Sequence, residues 1–156
     1  MSISYLLAPV TEEMLEWGRK CGIDLPESSL CGRFPLASEI EDALVSIPDH
    51  VLQRACRQDS FEYALESRAQ VPLEANPPFP ASLTPETYLI VNGNVTDTAP
   101  QKWIGCHGDL CLILELTQRL VPACGPLCFF ADCDGIPWFV FTPTAEPIGP
   151  ERWRSD

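Results

Sequence analysis

Basic residues are scarce in this sequence. Among 156 residues there are 10 lysines and arginines against 22 aspartates and glutamates, which gives a formal net charge of −12. Nucleic-acid backbones and anionic membrane surfaces are bound through clusters of lysine and arginine. We therefore expect that neither a nucleic acid nor a membrane is the main partner. A basic protein is the partner that this charge favours.

Long apolar runs are missing too. No run is longer than the five residues 110–114, which end at Glu115, whereas a membrane-spanning helix needs roughly 18 apolar residues. The first ten residues lack the basic start of a secretory signal, and Glu12 and Glu13 follow them. The sequence thus predicts a cytoplasmic protein.

Two common catalytic signatures are also absent. The nine glycines are scattered singly, so no glycine-rich phosphate loop is present, and no serine stands in a Gly-x-Ser-x-Gly sequence. These motifs hold phosphate groups and nucleophilic serines respectively. We predict no cofactor, no metal and no catalytic residue, so that a binding protein is favoured over an enzyme.

Cysteine, by contrast, is abundant. In a reducing compartment such residues are free thiols that act as small core side chains. Cys111 and Cys128 each lie among leucine, isoleucine or phenylalanine neighbours, which favours this interpretation. The eight cysteines are residues 21, 31, 56, 106, 111, 124, 128 and 133.

A cysteine-dependent enzyme is one alternative. Cys106 is followed by His107 and lies just before a predicted helix, whose N-terminus would lower the pKa of a nearby thiol. The base would be His107 or His50, although a catalytic cysteine and histidine usually come from different segments.

A zinc-stabilised module is the other alternative. Cys124, Cys128 and Cys133 form the densest cysteine cluster, and His107 would be a fourth ligand. Structural zinc sites prefer two closely spaced ligand pairs, and only one such pair occurs here.

The segment around Asp132 and Asp134 resembles the first motif of haloacid-dehalogenase-type phosphatases. An apolar run precedes Asp132-x-Asp134-Gly135, and the resemblance implies a nucleophile at Asp132 and a general acid at Asp134. Ile136 stands where that family has threonine, and no lysine follows Gly135. We interpret these residues instead as the turn of a hairpin.

Residue periodicity predicts three helices. The first begins after Thr11 and buries Met14, Trp17, Gly18 and Cys21. A capping box, Ser38-x-x-Glu41, begins the second, which runs to Ile47. Asp109 caps the third, which reaches about Leu120 and halts before Pro122.

Alternating apolar residues predict the strands. The sequence favours strands at 3–8 and 88–91, the latter closed by an Asn92-Gly93 turn, and a hairpin over residues 51–66 for which a helix fits nearly as well. A C-terminal hairpin joins 127–131 to 138–141 around Asp134-Gly135. The class is therefore α+β, with helices packed on a mainly antiparallel sheet. We expect a single domain over residues 1–156, with a possible division at the proline-rich stretch 72–85.

The functional prediction is a small acidic binding protein that sequesters or inhibits a basic protein. A bacterial toxin-immunity protein is the concrete example. Glu39 and Asp42 fall on the exposed face of the second helix, and a tryptophan beside acidic residues would anchor a basic partner. The predicted contact residues are Glu39, Asp42, Asp132, Asp134 and Trp138.

Overall fold

Three helices and a seven-stranded antiparallel sheet form the described part of the chain, which confirms the α+β class. The structure, a computed structural model, describes residues 4–26, 31–56, 60–67, 88–94, 101, 103–132 and 135–153. The strands within these ranges are β1 (Ser4–Pro9), β2 (His50–Cys56), β3 (Ser60–Ser67), β4 (Tyr88–Asn94), β5 (Ile104–Gly108), β6 (Leu127–Ala131) and β7 (Trp138–Val140). The helices are α1 (Glu12–Lys20), α2 (Ala37–Val45) and α3 (Leu110–Cys124).

The seven strands form one sheet in the order β2-β3-β4-β5-β1-β6-β7. β2 pairs antiparallel with β3, from His50 opposite Ser67 to Cys56 opposite Phe61, so this segment is a pair of strands and not a helix. β6 and β7 also pair antiparallel. Asp134, at the predicted turn between them, lies outside the described residues, as does the proline-rich stretch 72–85.

Helices cover the two faces of the sheet unequally. α2 and α3 pack against one face, here called the helix side, and enclose a large core that extends from Leu65 in β3 to Val140 in β7. α1 packs on the opposite face, here called the open side, where Leu15 joins Cys128 and Phe139 in a smaller core. Within the described ranges, no helix is both long enough and apolar enough to cross a membrane.

α1 begins and ends where the sequence predicts, but its buried face differs. The Thr11 side chain accepts a hydrogen bond from the Met14 N–H, and Gly22 has a φ of 89° just after the helix. Trp17 is 40% exposed and Cys21 is exposed as well, whereas Leu15 is buried. The predicted core face was wrong at Trp17 because the helix packs closely through Gly18, where a Cβ would stand 2.8 Å from the Leu25 side chain.

Two helix boundaries also differ from the predictions. The α2 capping box lies two residues earlier than predicted, since the Glu39 carboxylate accepts the Leu36 N–H at 2.8 Å. α3 continues through Pro122 to Cys124, and the Gly125 N–H bonds to the Val121 carbonyl at 2.8 Å. Proline removes one helical hydrogen bond, but in the last turn the remaining bonds and the buried Val121 and Cys124 keep the helix intact.

The predicted Asn92-Gly93 turn was wrong, because both residues continue β4. Gly93 pairs with Phe61 of β3. A Cβ on Gly93 would lie 2.6 Å from the Phe61 ring and 2.6 Å from Gln101 Oε1. Glycine is present here because neighbouring side chains approach the backbone closely, and not because a turn is needed.

Candidate functional site

A groove of about 860 Å³ runs along the outer surface of α2 and α3. We call it the α2–α3 groove. Its walls carry three carboxylates and one guanidinium, and its apolar surface comes from alanine, leucine and proline. The described lining residues are Glu39, Asp42, Ala43, Ser46, Cys111, Glu115, Gln118, Arg119, Leu120, Pro122, Ala123 and Pro143.

Helical periodicity brings the groove residues together. On α2, Glu39, Asp42 and Ser46 follow at intervals of three and four residues, and Cys111, Glu115 and Arg119 repeat every four residues along α3. Residues at these spacings lie along one face of a helix. The opposite faces of both helices carry leucine and isoleucine into the large core, so the polar stripes are held outward on a packed support.

Glu39 is already engaged at the entrance to α2. Its carboxylate binds the Arg33 guanidinium through two contacts of 2.8 Å and 2.9 Å and also accepts the Leu36 N–H. The hydrogen bond from Arg33 lowers the pKa of Glu39 below its ordinary value. Glu39 is therefore an ionised side chain that caps the N-terminus of α2.

Glu115 and Arg119 link the two helices across the groove. Arg119 donates to Glu115 Oε1 at 2.9 Å, one helical turn away, and to the Ser46 hydroxyl at 3.0 Å. Ser46 is the C-cap residue that follows α2. The single groove guanidinium is thus fixed at one end of the groove by a carboxylate and a hydroxyl.

Asp42 differs from the other two groove carboxylates. Its side chain is exposed, and it forms no ion pair with any residue in the described part of the chain. It lies between Glu39 and Ser46 on the same helical stripe. Within the described residues, the groove therefore offers one carboxylate without an ion pair, beside two that are each held by an arginine.

The four predicted contact residues that the structure describes do not share one surface. Glu39 and Asp42 share the groove, but Asp132 is exposed beyond β6, where its N–H donates to the Ser4 carbonyl at 2.9 Å. Asp134 lies outside the described residues. Trp138 is half-buried in β7 and meets Trp153 edge to face at a ring-centroid distance of 5.0 Å.

The geometry argues against a cysteine enzyme centred on Cys106. That side chain is 2% exposed and faces the large core, and burial raises its pKa to about 12. The next residue, His107, points to the opposite face of β5, where its ring lies 6.2 Å from that of Tyr88. Nδ1 of His50 is 2.7 Å from the Pro48 carbonyl, on a separate loop. A nucleophilic thiol must ionise and reach substrate, and Cys106 meets neither condition.

The cysteines proposed as zinc ligands are also separated. Cys124 belongs to the large core and Cys128 to the smaller core on the open side. Burial raises their pKa values to about 11 and about 12. Cys133 lies outside the described residues, and the described ones contain no group of three potential ligands.

Sequence reasoning missed the α3 half of the groove. Glu115 and Arg119 are spaced as an ion pair on a helix, which was visible in the sequence, but nothing indicated that they would face α2. It also missed Trp103, which is 46% exposed. No local pattern distinguishes this residue from the other tryptophans.

No protein-family model matches the chain, and neither a curated protein nor a solved structure matches it significantly. Its function is therefore inferred from its own residues.

Proposed function

We propose that this chain is a non-catalytic acidic binding protein that captures a basic protein through the α2–α3 groove. The observation that carries the proposal is the Asp42 carboxylate, which stands in a groove of about 860 Å³ without an ion-pair partner among the described residues. An arginine or lysine of the partner would bind it directly.

Charge at two scales supports a basic partner. The net charge of −12 raises the rate at which a cationic protein encounters the molecule. Within the groove, three carboxylates outnumber one guanidinium, so a bound cation meets an excess of negative charge. Such steering weakens as salt is added, because the Debye length falls from about 30 Å at 0.01 M to about 10 Å at 0.1 M.

The firmness of the groove supports binding by a preformed surface. Glu39 is held by Arg33, and Glu115 is held by Arg119, which also contacts α2. Side chains that are already ordered lose little freedom when a partner arrives. Sequestration of a basic toxin in the cytoplasm, as an immunity protein would do, is the concrete form of this proposal.

Charge reversal at Asp42 tests the proposal. The full-length wild-type protein and its Asp42→Lys and Glu16→Lys variants are immobilised and exposed at low salt to extract from the source cells. Captured proteins are identified by mass spectrometry, and the affinity of the purified partner is then measured. Glu16 is an exposed α1 residue outside the groove, so the matched variant changes net charge equally.

We expect the wild type and Glu16→Lys to bind the same basic protein, and Asp42→Lys to bind it at least tenfold more weakly, which corresponds to about 1.4 kcal/mol. Wild-type affinity falls as salt rises. Equal loss in both variants would assign binding to net charge alone and exclude the groove. Absence of any basic partner at low salt would overturn the function itself.

A further inference from the structure

A second concave surface lies on the open side of the sheet. It is a shallow cavity of about 280 Å³, and Trp103 and Glu62 stand at its walls. The described lining is completed by Ala55, Ser60, Phe61 and Asn92. This surface is separate from the α2–α3 groove, which lies beyond the opposite face of the sheet.

Strand register explains how the cavity is built. Ala55, Glu62, Asn92 and Gly105 stand opposite one another across β2, β3, β4 and β5, so they form one row on the open side. Ala55 is small and leaves space above the sheet at one end of the row, and the Trp103 ring lies over Gly105 at the other end. The carboxylate of Glu62 and the amide of Asn92 lie between them.

Trp103 overhangs the glycine end of this row. A Cβ on Gly105 would stand 3.5 Å from the Trp103 ring, so the indole lies close over the glycine backbone. The indole is nevertheless 46% exposed. Trp17 is similarly exposed but lines neither of the two concave surfaces, so exposure alone does not single out Trp103.

We propose that this Trp103 pocket binds an arginine side chain of a protein partner. The guanidinium is planar and always charged, and it stacks on aromatic faces while its N–H groups donate to carboxylate and amide oxygens. Here the indole supplies the face, and Glu62 and Asn92 supply the acceptors. Among the described residues Glu62 forms no ion pair, and its carboxylate complements the charge of a guanidinium.

The choice of arginine follows from the shape and chemistry of the pocket. A lysine ammonium is a compact, strongly hydrated charge that donates to acceptors but does not stack as a plane. A shallow cavity with an aromatic wall and two planar acceptors suits the planar fork. This inference concerns a different surface from the proposed groove and does not depend on it.

The test uses the whole protein and two short peptides, acetyl-Gly-Arg-Gly-amide and its citrulline counterpart, which has the same shape without the charge. Binding is followed by NMR through the backbone amide signals, which every variant retains, and through the indole N–H signals, of which that of Trp103 is assigned from its absence in Trp103→Phe. The variants are Trp103→Ala, Glu62→Gln, the matched control Trp17→Ala, and Asp42→Lys from the groove. Urea unfolding checks that each variant is folded.

We expect the arginine peptide, and not the citrulline peptide, to shift the Trp103 signal. Trp103→Ala and Glu62→Gln should each weaken binding by roughly threefold to thirtyfold, the range that cation–aromatic and ionic contacts give. Trp17→Ala should leave the shift of the Trp103 signal unchanged. Equal binding by the citrulline peptide, or equal loss in Trp17→Ala and Trp103→Ala, would overturn the proposal. Loss in Asp42→Lys alone would place the cation in the groove instead.

Discussion

The two sides of the sheet treat neighbouring residues of the same strand very differently. On β3, Phe61, Tyr63 and Leu65 point to the helix side and are buried, whereas Glu62 and Ala64 point to the open side and are only half-buried. On β5, Cys106 is enclosed on the helix side, and His107 is partly exposed on the open side. At these positions of β3 and β5, one residue step separates the interior from the surface.

This difference shows where stability and recognition are located. The large core on the helix side spans most of the sheet, and the polar surface above it is the outer face of α2 and α3. On the open side, α1 encloses only a small core. Trp103 is exposed on the same side, closer than α1 to the β2 end of the sheet. We expect mutations on the helix side to cost more free energy of unfolding, and the following measurements test this comparison.

The largest contrast should appear in thiol reactivity. Burial raises the pKa of Cys106 from an ordinary 9.0 to about 12, so its thiolate fraction should be roughly a thousandfold lower. Cys111 is exposed on α3. We expect N-ethylmaleimide to modify Cys111 rapidly in the native protein and Cys106 at least a thousandfold more slowly, as followed by peptide mass spectrometry. Similar rates before unfolding in urea would contradict an enclosed helix side.

Leucine truncation should separate the two cores next. Leu116 is fully buried at the centre of α3, and Leu15 is the buried leucine of the short α1. Removing a core leucine costs about 2–5 kcal/mol, with larger values where the site cannot collapse. We expect about 4 kcal/mol for Leu116→Ala and about 2 kcal/mol for Leu15→Ala, because the smaller core can relax more easily. Urea unfolding measures both, and a reversed order would refute the comparison.

Two glycines in strands test the difference between the two sides of the sheet in another way. Gly93 faces the Phe61 ring, whereas Gly105 lies under Trp103 at an ordinary contact distance. Gly93→Ala should destabilise the fold by about 2 kcal/mol, as overpacking does. Gly105→Ala should change stability by less than about 0.5 kcal/mol, since a methyl group fits and alanine is less flexible in the unfolded chain. Equal effects on the urea midpoint would show that the two sites are packed alike.

The smallest effects concern two carboxylates with opposite pKa shifts. The hydrogen bond from Arg33 lowers the pKa of Glu39 below 4.5, so its stabilising contribution is present above pH 4.5 and is lost as the pH falls through the lower native value. Glu39→Gln should cost about 1 kcal/mol at pH 7, where it weakens the ion pair and the helix cap. In acid the variant and wild type should converge, as urea unfolding across the pH range would show.

Glu66 should behave in the opposite way. It is 6% exposed on β3, and burial raises its pKa above the ordinary 4.5. Its protonated form therefore favours the folded state, and this contribution is lost as the pH rises through the native value. Glu66→Gln should stabilise the protein at pH 7 by a few tenths of a kcal/mol to about 1 kcal/mol. Destabilisation at pH 7 would mean that the carboxylate is satisfied in the native state.

Local signals in the sequence predicted much of the fold. Thr11 and Asp109 begin helices because their side-chain oxygens accept N–H groups within the same turn, which needs no distant partner. The alternation of Phe61, Tyr63 and Leu65 likewise predicts a strand with one buried face. Such features depend on residues only a few positions apart.

Errors arose where a distant residue decides the local structure. Asn92-Gly93 is a strong turn signal by itself. The glycine is required, however, by the ring of Phe61, which belongs to the preceding strand and is distant in the sequence. Trp17 is apolar and correctly spaced, but Gly18 sets the contact with Phe139 and turns the indole outward. Periodicity alone contains no information about such partners.

The sequence predicted the α2 side of the candidate site but not the α3 side. Glu39 and Asp42 follow from helical spacing on α2, and the structure places them together. The groove also requires α3, and the packing of α2 against α3 is a tertiary contact that the sequence pattern does not reveal. The Trp103 pocket needs four strands in register, so no single segment indicates it.

The position of β1 also constrains how the chain assembles during synthesis. β1 precedes every other strand, yet it lies between β5 and β6, with Ser4 opposite His107 and Tyr5 opposite Ala131. β2, β3 and β4 can pair with one another as they emerge from the ribosome. β1 can pair only after β5 and β6 have been translated, which happens much later. Deleting β1 would therefore not remove an edge strand. It would separate β2–β5 from the β6–β7 pair, with no strand to hydrogen-bond between them.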